Sequence, residues 1–284
     1  MKLARVFAAL LWTVLSSCFF FLSMLLWVVI SVCSLLLFIA PNLHWRIFTG
    51  MQSLLAVVIF WGLRYIIGLV IRFETEGFNP SDITTVPVVV SNHVWLGDPV
   101  LIYLALRRVG WRLINWTMRR DMLWNPFGWA AAWTGSAFLD RKKGDPIRGE
   151  RDLERIFQAG LRSLKRGLAL VVLPEGTRPR DGSSSDSPYK HLGKFRPRGT
   201  VKAAEAMGKP AFIVICMHWS KTDQSAVLTG AKTSFVEDAT ALVNRSITIR
   251  VQSIPKADCQ NVEARLEAIG YDMDRWLDNQ EENL

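Results

Sequence analysis

Charged residues are absent from a long stretch near the start of the sequence. Between Arg5 and Arg46 there is no lysine, arginine, aspartate or glutamate. The apolar run from Val6 to Ala40 is too long for the core of a signal peptide, so cleavage is not expected. It also exceeds the roughly 20 residues that cross a bilayer. The run predicts a membrane-embedded segment, either one long tilted helix or a span followed by an interfacial turn.

Cysteine is also scarce. The four cysteines (Cys18, Cys33, Cys216 and Cys259) have no paired or metal-like spacing. Neither a disulfide framework nor a cysteine metal site is therefore expected. Isolated thiols fit a body that faces the reducing cytoplasm.

A second apolar segment, from Ile47 to Ile71, is interrupted by Arg64. Arginine is costly at the bilayer centre, so this residue should snorkel, meet a partner or lie near the interface. The two segments either cross the membrane or form a hairpin in one leaflet. In both cases the body that follows works at a membrane surface, and Lys2 and Arg5 favour the cytoplasmic side.

Tryptophan and positive charge are both abundant. The chain has twelve tryptophans. Tryptophan concentrates at sites that are apolar on one side and hydrated on the other, including the membrane interface. The net charge of +9 is uneven: residues 257–284 hold eight acids against two arginines, a net −6, which leaves +15 on the rest. A basic body suits an anionic membrane, nucleic acid or phosphorylated ligands. Nucleic acid is the weaker choice, because long apolar segments share the chain.

Short buried strands alternate with helices beyond residue 71. This pattern predicts an α/β fold with a largely parallel sheet flanked by helices, preceded by an N-terminal hydrophobic two-helix membrane region. Three units are expected: membrane-anchoring helices at 1–71, an α/β body at 72–256 and an acidic C-terminal helix at 257–284. Strands are predicted at 88–92, 135–139, 168–173, 210–216 and 246–254, helices at 98–108, 146–166, 201–207 and 258–284, and a surface loop at 179–197.

The stretch from Trp111 to Trp133 has two interpretations. It carries five tryptophans and three arginines. One interpretation is a helix and turn packed on the core, broken at residues 125–128. The other is a surface that meets the membrane or the acyl chain.

Three polar clusters come directly after predicted strands. They begin at Asn92, Asp140 and Glu175. Ligands of open α/β sheets gather beyond the carboxyl ends of the strands, so the three clusters should converge at one edge. Within the first cluster, His93 can take a proton from an alcohol near neutral pH, and the turn can bring Asp98 beneath it to fix its tautomer. Taken alone, this pair is explained as well by a histidine that caps the next helix.

Two arginines also follow predicted strands. Arg141 and Arg178 carry planar guanidinium groups, which suit phosphate oxygens. Each one alone is also explained as a solvated or salt-bridged surface residue. A base with an aspartate partner beside two such arginines, next to membrane segments, is a more specific combination.

Four motifs in order resemble the glycerophospholipid acyltransferase family, which includes the 1-acylglycerol-3-phosphate acyltransferases. The resemblance covers about residues 85 to 220. The motifs are Asn92-His93-(four residues)-Asp98, Gly135-Ser136-Ala137-Phe138-Leu139-Asp140-Arg141, Pro174-Glu175-Gly176-Thr177-Arg178 and Lys209-Pro210-Ala211-Phe212-Ile213-Val214-Ile215. The longer loop before Phe195 looks more like the branch with lysocardiolipin and lysophosphatidylinositol acyltransferases. Trp95 stands where many members carry a small hydroxyl residue.

The resemblance implies a reaction and roles for the residues of these motifs. A fatty acyl group would move from acyl-CoA or acyl carrier protein to the free hydroxyl of 1-acyl-sn-glycerol-3-phosphate (lysophosphatidate), giving phosphatidate in phospholipid biosynthesis. His93 would be the general base and Asp98 its orienting partner, with no metal or redox cofactor. The expected partners are membrane lipids and the thioester donor, with the catalytic body at the cytoplasmic face of the membrane. Substrate would be bound by Arg141, Glu175, Gly176, Thr177, Arg178 and Arg198.

Three other functions are left open by the sequence. The acceptor could be another lysophospholipid, such as lysophosphatidylinositol or lysocardiolipin, in phospholipid remodelling. A membrane-anchored lipid-binding scaffold that keeps the fold is a non-enzymatic alternative, although the presence of both His93 and Asp98 argues against it. A nucleic-acid binder would show binding that weakens steeply with salt.

Overall fold

The computed structural model describes residues 68–94, 98–124, 134–140, 145–175, 187–219, 245–256 and 261–282, with scattered positions between 25 and 65 and at 128, 131 and 132. Among these residues, no helix is both long and apolar enough to span a membrane. Most of the predicted membrane region, residues 1–71, lies outside the described part of the chain.

A seven-stranded sheet forms the centre of the described fold. Its strand order is β1-β7-β6-β2-β5-β3-β4. All neighbouring pairs of these strands are parallel except β6 and β7. The predicted α/β class with a largely parallel sheet is therefore confirmed. The strands are β1 Val70–Glu74, β2 Val88–Ser91, β3 Ile114–Arg119, β4 Ala137–Leu139, β5 Ala169–Val172, β6 Phe212–Trp219 and β7 Ser246–Ile254.

Helices cover both faces of the sheet. They are α1 Asp98–Arg108, α2 Pro146–Arg166, α3 Pro197–Ala206 and α4 Val262–Glu282. Side chains of a strand alternate between its two faces, and β2 follows this rule. Val89 packs in the core that contains the buried residues of α1, whereas Val88 and Val90 pack in the core formed with α2, α3 and α4. The helix at the acidic C-terminal end is thus part of the core of the α/β body.

The bounds of α2 match the predicted ones and are set by its end residues. The Asp145 side chain accepts a hydrogen bond from the Arg148 backbone N–H at 3.1 Å, and Pro146 occupies the first helical position. Both features favour a helix start. Gly167 ends the helix with φ at 69°, a left-handed conformation that glycine adopts without steric cost.

The predicted helix within residues 111–133 is wrong over β3. Residues 114–119 form a buried strand between β5 and β4, followed by a short 3-10 helix. The polar side chains of this strand find partners on helix α2 and on strand β5. Asn115 donates from Nδ2 to Ser163 Oγ at 3.0 Å, and the Thr117 hydroxyl donates to the Val171 carbonyl at 3.1 Å. These distant partners let polar residues lie in a core strand, a possibility that local periodicity does not reveal.

Smaller differences concern the bounds of several elements, such as β6, which ends at Trp219, three residues after its predicted end. Helix α3 begins at Pro197, four residues before its predicted start. Within the predicted loop, residues 187–196 lack regular structure, but Tyr189, Leu192 and Phe195 are buried. Strand β1 lies across the expected start of the body at residue 72, because Val70 already pairs with Ser246 of β7.

Candidate active site

Asn92 fixes the chain directly after β2. Its side-chain amide donates from Nδ2 to the Met217 carbonyl of β6 and accepts from the Met217 N–H, both at 2.9 Å. This pair of bonds continues the β2–β6 ladder past the end of β2, using a side chain in place of backbone. Asn92 is 1% exposed, so its loss would leave buried backbone groups of β6 without partners. The turn that follows it therefore starts from a rigid point.

His93 and Asp98 form a hydrogen-bonded pair, as the sequence predicted. His93 Nδ1 lies 2.6 Å from Asp98 Oδ2, and the same oxygen accepts the Val94 backbone N–H at 2.8 Å. Asp98 is fully buried in the first turn of α1, while the His93 side chain is 22% exposed. A carboxylate on Nδ1 holds the proton there and leaves Nε2 to take a proton from an alcohol. The geometry suits a general base with an orienting partner.

Glu175 lies beside His93 because the sheet register brings the two together. Val90 of β2 pairs with Val172 of β5. His93 lies three positions after Val90, and Glu175 lies three positions after Val172. The Glu175 carboxyl accepts the His93 N–H through Oε1 and the Gly193 N–H through Oε2, both at 3.1 Å. Burial raises its pKa to about 8, against the lowering effect of these two bonds.

The end of β4 is held by a network of ion pairs around Asp140. Its carboxylate accepts from Arg155 at 2.8 Å and from Arg120 at 3.2 Å. These bonds, that of Arg155 first, hold its pKa below the usual value. The Asp140 N–H in turn donates to Asp152 at 3.0 Å. The chain is thus fixed immediately before Arg141, which itself lies outside the described residues.

The three predicted clusters do start at one sheet edge, but of the three, those at Asn92 and Glu175 follow neighbouring strands and the one at Asp140 lies apart. Strands β2, β5 and β4 run parallel, with β3 between the last two. At roughly 4.8 Å between strands, β4 lies about 14 Å from β2. Gly176, Thr177 and Arg178 follow Glu175 outside the described residues. Arg198, 72% exposed in the first turn of α3, forms an ion pair with Glu150 of α2 at 2.7 Å.

Sequence reasoning missed several residues that support this site. The backbone of Gly193, the carboxylate of Asp152 and the guanidinium of Arg155 all hold site elements through long-range contacts. No sequence motif marks them. Asn92 belongs to the first of the four motifs, but its bonds to β6 depend on a residue 125 positions away.

The fold is shared with a solved protein structure, although the search of curated sequences found no significant match. The crystal structure of the 1-acyl-sn-glycerophosphate (LPA) acyltransferase PlsC from Thermotoga maritima superposes with a TM-score of 0.51 at 13% identity, covering 86% of this chain and 95% of that one. At this identity the likeness establishes a shared fold.

A family model supplies the sequence-level evidence. The model described as Acyltransferase matches residues 79–219, about half of the chain. The matched region runs to the end of β6 and contains His93, Asp98 and Glu175. The resemblance to glycerophospholipid acyltransferases and the prediction of an O-acyltransferase are thereby confirmed. The chain belongs to the acyltransferase family.

Proposed function

We propose that this protein is a membrane-bound enzyme that transfers a fatty acyl group from acyl-CoA or acyl carrier protein to the free hydroxyl of lysophosphatidate, giving phosphatidate. The observation that carries the proposal is the His93–Asp98 pair at the carboxyl edge of a parallel sheet, within the region matched by the acyltransferase family. The acceptor is suggested by the fold shared with PlsC and by the resemblance of the four motifs.

The chemistry follows from the pair. His93 Nε2 takes the proton of the acceptor hydroxyl as its oxygen attacks the thioester carbonyl carbon. The resulting tetrahedral oxyanion collapses by breaking the carbon–sulfur bond, and the imidazolium returns its proton to the leaving thiolate. Asp98 stabilises the imidazolium and keeps Nε2 turned to the substrate. Arg141 and Arg178 would bind the acceptor phosphate, with Gly176 and Thr177 shaping the same pocket.

The membrane part of the proposal is supported by where the N-terminal region joins the sheet. Val70, at the start of β1, pairs with Ser246, and the next residue of β7 pairs with Trp219 at the end of β6. Strand β1 therefore starts at the same edge as His93. Trp61 and Tyr65 come just before β1 in sequence, and their exposed rings stack with centroids 4.7 Å apart. Such aromatic rings suit a membrane interface. An anchor there would bring the site to the lipids, at the cytoplasmic face.

The test is acyl transfer by membranes that contain the protein. We expect acylation of lysophosphatidate, and we expect His93→Ala to reduce it by about 10⁴-fold while the thermal midpoint of the purified protein changes little. Activity of His93→Ala within tenfold of the wild type would contradict the catalytic assignment. Membrane anchoring is tested separately, by whether residues 1–71 are needed for the protein to sediment with vesicles.

A second acceptor class is favoured by one sequence observation. The loop before Phe195 is longer than in the plain lysophosphatidate enzymes and resembles the branch that acylates larger lysophospholipids. Presenting lysophosphatidate, lysophosphatidylinositol and lysocardiolipin in one assay separates the two. A preference for either of the larger acceptors would replace lysophosphatidate and leave the chemistry unchanged.

A further inference from the structure

We propose that Glu175 is a positioning residue whose carboxyl joins the His93 turn to residues Ser187–Arg196, here called the Gly193 segment, and so sets the place of the catalytic base. This inference rests on the proposed function. It gives Glu175 a role in kcat, distinct from the substrate contact that the family resemblance implies.

The contacts of the carboxyl carry the inference. Each of its oxygens accepts one backbone N–H, that of His93 on Oε1 and that of Gly193 on Oε2. Glu175 is 3% exposed. The bond to His93 reaches the backbone of the base itself, so a shift of the carboxyl moves the imidazole relative to a bound substrate. Misplacement of a catalytic group by about 1 Å can cost roughly 100-fold in rate.

The other end of the link is also fixed. Asp274 of α4 accepts the Lys190 N–H at 2.9 Å and the His191 N–H at 2.7 Å. His191 Nε2 lies 2.8 Å from Asp278 Oδ1. Past Gly193, the Arg196 N–H donates to the Pro174 carbonyl at 2.8 Å. Glu175 therefore connects His93 to a segment held on both sides, which is what a positioning role requires.

The space around the carboxyl supports the same role. A Cβ placed on Gly193 would lie 3.0 Å from Glu175 Oε2, so the glycine admits the close approach of the carboxyl. Burial raises the pKa of Glu175, and the negative charge of Asp98 adds to this effect.

Substitutions at Glu175 and at Gly193 test the link from opposite sides. Glu175→Gln keeps the shape but offers one acceptor oxygen in place of two, and Gly193→Ala presses on the carboxyl without altering its chemistry. We expect kcat to fall about tenfold in Glu175→Gln, about 100-fold in Glu175→Ala and a few-fold in Gly193→Ala, with KM for donor and acceptor within about twofold. Gly149→Ala is the matched control, because that glycine is exposed in α2 with no atom within 4 Å of an added Cβ.

Hydrogen exchange provides a readout that does not need turnover. Backbone amides of His93 and Gly193 should exchange faster in Glu175→Ala than in the wild type, while amides of α2 should not change. Faster exchange with unchanged kcat, or an acceptor KM raised tenfold with kcat retained, would overturn the positioning role. If the wild type acylates no lysophospholipid, the proposed function fails, and faster exchange at both amides would still establish the link.

Discussion

The turn at residues 92–98 and the Gly193 segment meet at the Glu175 carboxyl, yet they are held in different ways. Within the turn, Asp98 bonds to groups four and five positions earlier. The Gly193 segment depends on partners up to 88 residues away on α4, chiefly Asp274, and on Glu175. The His93–Asp98 pair forms between residues close in sequence, whereas the segment acquires its place when α4 docks. Damage to the turn should therefore remove the chemistry, and damage to α4 should loosen the segment first.

The largest effect is expected from Asp98→Asn, which alters the turn alone. Asp98 Oδ2 accepts from both the His93 ring and the Val94 N–H, and the amide of asparagine offers one acceptor oxygen and no negative charge. The imidazolium that forms during catalysis then loses the anion that stabilises it, and kcat should fall roughly 10³- to 10⁴-fold. Initial rates of acyl transfer measure this. Activity within tenfold of the wild type, with the fold intact by circular dichroism, would show that Asp98 does not orient the base.

The second prediction concerns how the free energy of unfolding depends on pH through Glu175, where the two regions join. Its pKa is about 8 in the folded protein and near 4.5 ordinarily, with burial as the main cause. Between these values the folded state holds a proton that the unfolded state releases, so the free energy of unfolding should fall as pH rises from 4.5 to 8. The slope is at most about 1.4 kcal/mol per pH unit. Glu175→Gln should remove this contribution.

Denaturant unfolding at several pH values measures the difference. The wild-type curve minus that of Glu175→Gln should slope downward across this window, because other titrating groups cancel in the subtraction. Curves that stay parallel from pH 4.5 to 8 would show that Glu175 is ionised throughout and has no raised pKa.

The third effect is confined to the docking of the Gly193 segment on α4. A Cβ added to Gly270 of α4 would lie 2.4 Å from the hydroxyl oxygen of Tyr189. The Tyr189 side chain is buried against this helix. Gly270→Ala should displace that ring and lower the free energy of unfolding by about 1–3 kcal/mol. Amides of residues 187–193 should exchange faster, while kcat falls less than in Asp98→Asn.

The control for Gly270→Ala is again Gly149→Ala, which changes a helical glycine with open space around it. That variant should be neutral or slightly stabilising, because alanine favours helix. Equal stability of the two variants would show that Tyr189 adapts without cost and that the docking does not depend on this contact.

The same contrast explains how much the sequence predicts. The limits of α1 and α2, and those of β7, matched the sequence-based bounds, because caps, proline and alternation are local signals. The His93–Asp98 pair was predicted because its two members lie in one motif. Strand β3 was missed, since Asn115 and Thr117 are compatible with a buried strand only through partners on α2 and β5.

The supporting contacts of the site were beyond local reasoning. Glu175 was identified from its motif, but its two backbone partners follow from sheet register and from a segment fixed by α4. Strand β1 was hidden in an apolar run that was assigned to the membrane region, because a short strand and the end of an apolar helix look alike. Long-range pairing decides both cases.

The smallest effect is expected from Arg198→Ala. Arg198 lies on the exposed side of α3, away from the contacts of Asp98 and from those of Asp274. The motif resemblance gives Arg198 a substrate contact, whereas the structure pairs it with Glu150 across two exposed side chains. Such pairs contribute little, so Arg198→Ala and Glu150→Ala should each change the free energy of unfolding by less than about 0.5 kcal/mol. We expect the acceptor KM of both variants to stay within twofold of the wild type. A KM that rises several-fold in Arg198→Ala alone would mean that the arginine leaves Glu150 to bind the acceptor, and would restore the substrate contact.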